Sequence, residues 1–134
     1  MVPKTPARRS VRGSDRLWKR AVVILALSTV ALSLGCSSYR AGRLYEQGTA
    51  SLDARDSGAA IDDLERAAAL APHASEIRNH LGLAYAQAGR MPDALWAFEH
   101  AVALDCDNAA AQQNLVWAED RLAAAATAVA AEKP

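Results

Sequence analysis

A chain of 134 residues with zero formal net charge, 51% hydrophobic but only 5% aromatic residues, has room for one small domain and none for a large enzyme. Alanine fills 32 positions against 12 for Gly and Pro together, which favours helices and argues against a strand-rich sandwich or a disordered chain; the expected class is all-α. The neutrality hides a split, because residues 1–35 carry seven basic groups against one acid, a net +6, and residues 36–134 carry eight against fourteen, a net −6. An acidic remainder excludes a basic nucleic-acid-binding face, so no nucleic acid is expected as a partner.

The basic groups Lys4, Arg8, Arg9, Arg12, Arg16, Lys19 and Arg20 precede 15 uncharged residues, 21–35 (AVVILALSTVALSLG), that end at Cys36. Spanning a bilayer takes about 20 apolar residues, and a signal-peptide core takes about 7 to 15, so the length favours a signal peptide. Leu32-Ser33-Leu34-Gly35-Cys36 resembles the lipobox of bacterial lipoproteins, with Ser33 where that family most often has Leu. The resemblance implies cleavage after residue 35, a covalent lipid on the Cys36 thiol and no other cofactor, and a lipidated tether over 36–40. Ser37 and Ser38 lack the Asp that resembles an inner-membrane retention signal, so in a Gram-negative source the implied location is the periplasmic face of the outer membrane. The alternative is an uncleaved inner-membrane anchor; the positive-inside rule then leaves the Arg-rich end in the cytoplasm and exports the rest. With Cys36 acylated, Cys106 has no partner in the chain; it is expected to be buried as an inert small hydrophobe, the alternative being a disulfide between molecules.

The remainder repeats itself. Residues 41–74 set over 75–108 align Gly48 with Gly82, Ala60 with Ala94, Ala67 with Ala101 and Leu70 with Leu104, a period of 34 residues. Four helices are predicted, near 41–55, 58–70, 76–88 and 92–104, with breaks at Asp56-Ser57-Gly58, at 71–75, where Ser75 is the expected N-cap, and at 88–92, where Pro92 suits a first helical turn. Ile61, Leu64 and Ala68, then Leu95, Phe98 and Val102, recur at core spacing, and the small residues Gly48, Gly82, Ala60, Ala67, Ala94 and Ala101 allow close helix approach. A fifth helix, 109–131, puts Leu115, Ala118 and Leu122 inward and ends in an Ala-rich stretch expected to fray, with a short tail at 132–134; Asp107 or Asn108 is available to cap it.

Leu81-Gly82, Tyr85, Ala94, Phe98 and Ala101 resemble the signature of the tetratricopeptide repeat, with Arg78 and Cys106 replacing its Trp and Pro; the first unit keeps Gly48, Ala60, Leu64, Ala67 and Pro72. The resemblance implies an α-α superhelical solenoid of two helical hairpins closed by a capping helix, which binds a peptide in a groove lined by the first helix of each unit. By register the groove residues are Tyr45, Thr49 and Leu52, then Asn79, Leu83 and Ala86, then Gln113 and Trp117. Asn79 is the polar residue best equipped to fix a peptide backbone, and Trp117 is either a partner anchor or a packed closure of the core. Tyr45 and Thr49 stand where a carboxylate clamp would need Lys and Asn, so that clamp is not expected.

His73, His80 and His100 show no i, i+4 pairing, and Cys-x-x-Cys, phosphate-loop and nucleophile-elbow motifs are absent, so no metal and no enzyme activity are expected. The function expected is a membrane-tethered, non-catalytic adaptor or assembly factor of the bacterial envelope with a protein or peptide partner. The class-distinct rival is a small-molecule-binding accessory subunit. Two repeats and a cap leave a small core, and that marginality raises the expectation of a homodimer.

Overall fold

The structure, a computed structural model, describes residues 14–131, and within 14–36 it describes side chains for Lys19, Val22 and Val23 alone. Five helices follow in order: α1 (Ser14–Asp53), α2 (Ser57–Leu70), α3 (Ser75–Gln87), α4 (Met91–Leu104) and α5 (Ala109–Ala131). No strand occurs among the described residues, and the class is all-α. The chain divides into two units, Met1–Cys36 and Ser37–Pro134. The lipobox and the Cys36 thiol fall on side chains outside the described ones, as does the tail at 132–134. Among the described residues no helix is long and apolar enough to cross a membrane.

The first repeat helix was expected to start near 41, and no boundary exists there. Residues 14–53 hold no proline, and their isolated glycines each cost about 1 kcal/mol, too little to end a helix. The other helices start and stop within one residue of expectation. Asp56 caps α2 by accepting the Ala59 N–H at 3.1 Å, and Asn108 caps α5 by accepting the Ala111 N–H at 3.0 Å. Ser75 is not a cap but the first residue of α3: its buried hydroxyl donates to the Ala101 carbonyl at 2.9 Å and accepts from the Asn108 amide at 2.8 Å. Burial against the end of α4 gives the hydroxyl those partners instead of the helix's own N–H groups.

The 34-residue period is present in the backbone. Leaving the first helix of each unit, Ala54 N–H donates to Ala50 O and Asp56 N–H to Ser51 O, and 34 residues on Ala88 N–H donates to Ala84 O and Arg90 N–H to Tyr85 O, all at 2.9 or 3.0 Å. The inter-unit turns match too, with Ala74 N–H on Ala71 O and Asn108 N–H on Asp105 O. Such bonds from beyond the helix end satisfy its last carbonyls.

Two layers result within residues 37–134: α1, α3 and α5 lie side by side, and α2 and α4 pack behind them. Ala60, Ala67, Ala94 and Ala101 are fully buried, as are Leu64 and Phe98, the largest side chains at the centre. The two glycines explain the spacing. A Cβ on Gly48 would lie 2.6 Å from Leu64 Cγ, and one on Gly82 would lie 2.6 Å from Phe98 Cδ1 and closer still to Cε1. The helices are close because nothing stands between them. Leu95 and Val102, expected inside with Phe98, are only half-buried, since they sit on the edge of the α4 face that meets α3. Ala111 and Ala118 close the stack from α5, whose last turns are exposed helix through Ala131 and not frayed coil.

Candidate functional site

The face of the α1, α3 and α5 layer that turns away from α2 and α4 carries the groove residues at i, i+4, i+7 along each helix. Three contacts tie it together. Tyr45 on α1 donates its hydroxyl to Glu76 Oε1 on α3 at 2.9 Å and meets the His80 ring edge-on, with centroids 5.1 Å apart at 89°. Gln87 on α3 donates to the Leu52 carbonyl at 3.2 Å. Asn114 on α5 donates to Asn79 Oδ1 on α3 at 2.8 Å.

His80 Nδ1 lies 3.0 Å from the Glu76 carbonyl and 3.3 Å from the Tyr45 hydroxyl, so the three side chains form one cluster. Burial, followed by the hydrogen bond to Glu76 and its charge, pushes the Tyr45 hydroxyl up to about 12, which keeps it a donor at neutral pH. On the opposite side of α3, Tyr85 donates to Glu65 Oε1 at 2.6 Å; burial first, then Glu65, pushes it up to about 12 as well.

Not every groove residue is available to a partner. Asn79 is 5% exposed, and its carbonyl oxygen is committed to Asn114, so it clasps α3 to α5. Thr49 donates to the Glu46 carbonyl of its own helix at 3.0 Å. Leu52, Leu83 and Ala86 are half-buried against the core. Gln113 is exposed, and Trp117 is 40% exposed with the Arg121 guanidinium 5.6 Å over its ring.

Beside Asn79 a cavity of about 700 Å³ opens between the start of α3 and the α4–α5 turn, lined by His73, Glu76, Asn79, His80, Asp105 and Asn108 among others. Glu76 and His80, four residues apart on one stripe of α3 and each one position after the buried Ser75 and Asn79, were missed from the sequence as groove residues. Asn114 was missed because its role depends on α5 lying against α3. Cys106, expected as an inert hydrophobe, is exposed in the α4–α5 turn, where no neighbouring helix covers it. Among the described residues no group of three or more His, Cys, Asp or Glu side chains is arranged to hold a metal ion.

Compared with protein-family models and with curated proteins, the chain matches none.

Proposed function

We propose that the protein is a lipid-anchored, non-catalytic adaptor of the bacterial cell envelope, a short tetratricopeptide-type solenoid that holds a protein or peptide partner on the open face of α1, α3 and α5. The observation that carries this reading is the composition of that face: Gln113 and Trp117 stand exposed on α5, and α3 carries the Glu76 and His80 side chains that meet Tyr45 and line the 700 Å³ cavity. An exposed aromatic beside fixed polar groups is the usual make-up of an interface anchor. The lipid on Cys36 raises the local concentration of the adaptor at one membrane surface. Pilus, secretion and cell-wall assembly are processes that small repeat lipoproteins serve, and a choice among them rests on analogy.

The test is the intact mass of the membrane-extracted protein beside a Cys36→Ala control, together with photo-crosslinking from position 113. A mass beginning at residue 36 plus lipid, lost in the control, and a discrete crosslinked protein support the adaptor. An unmodified full-length mass turns the reading into a retained signal anchor that presents the same domain. The second reading, a small-molecule-binding accessory subunit, is favoured by the cavity, which lies within the roughly 300–1,000 Å³ range of small-molecule sites. Thermal stabilisation by metabolites with no protein crosslinked would select it.

A further inference from the structure

On the opposite side of the molecule, a second cleft of about 350 Å³ runs between α2 and α4 with α3 as its floor. Its walls are apolar, from Ala68, Ala69, Pro72, Leu81 and the Trp96 ring, which is 48% exposed. One cation enters it. The Arg78 guanidinium lies 5.8 Å over the Trp96 ring, and its Nε is buried with no hydrogen-bond partner. Among the described residues the ion pairs are Arg66 with Asp63 and Arg90 with Asp93, so no carboxylate pairs with Arg78. Glu65 lines the same cleft but is engaged by the Tyr85 hydroxyl at 2.6 Å.

We infer that this cleft is a docking site for a partner segment that carries an Asp or Glu side chain next to an apolar residue. The carboxylate pairs end-on with the two terminal nitrogens of Arg78, and the apolar neighbour covers Trp96 and Leu81. Charge complementarity selects the occupant: Arg78 has no ion-pair partner in a largely apolar cleft whose one carboxylate, Glu65, is bonded to Tyr85, and it is stabilised by an anion that brings its own apolar surface to exclude water. The buried Nε and the indole 5.8 Å from the guanidinium restrict its orientations before the partner arrives, which removes part of the ordering cost of binding. An internal side chain fits better than a chain terminus. The cleft is open along its length, and apart from Arg78 its lining side chains provide no uncommitted donor to cradle a terminal carboxylate. The site is separate from the groove and does not depend on it.

The experiment is an NMR titration of the full-length chain in detergent micelles with the capped peptide Ac-Gly-Leu-Asp-Leu-Gly-NH2 and its Asn analogue, read at the Arg78 Nε–H and the Trp indole resonances. The Asp peptide is expected to shift the Arg78 and Trp96 signals saturably and to bind about tenfold more tightly than the Asn peptide, the scale of a lost charge-assisted pair. Arg78→Gln removes that preference, and Trp96→Ala, a half-exposed position that tolerates truncation, weakens both peptides. Equal affinity for the two peptides, no binding of either, or shifts at the Trp117 indole in place of Trp96 would overturn the inference. So would phosphatidylglycerol in the micelles, if it moved the same signals and the peptide did not, because the occupant would then be a lipid headgroup.

Discussion

Arg55 and Gly89 stand 34 residues apart at the same turn of successive helical hairpins, and both adopt left-handed backbone, with φ of 61° and 76°. Each N–H donates to the carbonyl three residues back, Arg55 to Leu52 at 3.1 Å and Gly89 to Ala86 at 3.0 Å. Only one of the two residues suits the position. An L side chain in this region costs roughly 1–2 kcal/mol, and glycine returns part of that through its larger unfolded entropy. Arg55→Gly is therefore expected to stabilise the protein by about 0.5–1 kcal/mol, read as a higher urea midpoint at unchanged slope. A lower midpoint would show that the Arg55 side chain contributes more than its backbone costs.

The glycines inside the helices predict two different signs. Gly82→Ala drives a methyl into the fully buried Phe98 ring and should destabilise by about 1–3 kcal/mol. Gly42→Ala meets nothing within 4 Å and should be neutral or stabilising by up to about 1 kcal/mol, through helix propensity alone. Urea unfolding of the pair separates close approach from propensity; equal effects would remove the packing explanation.

The clasp between Asn79 and Asn114 should show as energetic coupling. Each single Ala variant leaves a partly buried amide without its partner, and the double variant loses only the bond, so a coupling of about 0.5–1.5 kcal/mol is expected from a double-mutant cycle. Zero coupling would mean that α5 is held by Ala111 and Ala118 packing alone. The same burial means that loss of partner binding in Asn79→Ala reports stability as well as contact, and Gln113→Ala with Trp117→Ala is the cleaner test of the groove.

Alkaline pH should destabilise the protein through Tyr85, which is buried, and Tyr45, which is half-buried. Tyr45 and Tyr85 are both raised from 10.0 to about 12 by burial and then by Glu76 and Glu65 respectively. The folded state holds these protons more tightly than the unfolded chain, so the stabilisation is complete below pH 10.0 and is lost as pH rises toward about 12. The melting temperature of Tyr45→Phe, Tyr85→Phe should fall less steeply across that window than that of the unsubstituted protein. Parallel curves would assign the loss to other groups.

The helical class, the five-helix order and the 34-residue period were legible in the residues alone, because these follow from local propensity, turn residues and the recurrence of Gly and Ala at fixed spacing. Asn108 was legible as a cap for the same reason, since a cap bonds N–H groups only three residues away, whereas Asp56 read only as part of a helix break and the structure makes it the cap of α2. Packing between helices set what depends on residues far apart in the chain. It turned Asn79 from a groove donor into a clasp on Asn114, took Ser75 from a cap to a buried bond with Ala101, and joined Tyr45 to Glu76 across 31 residues. It also left Arg78 unpaired beside Trp96, 18 positions later in the sequence. A residue's period reveals which stripe of a helix it occupies, whereas its hydrogen-bond partner and its exposure are set by which other helix is packed against that stripe.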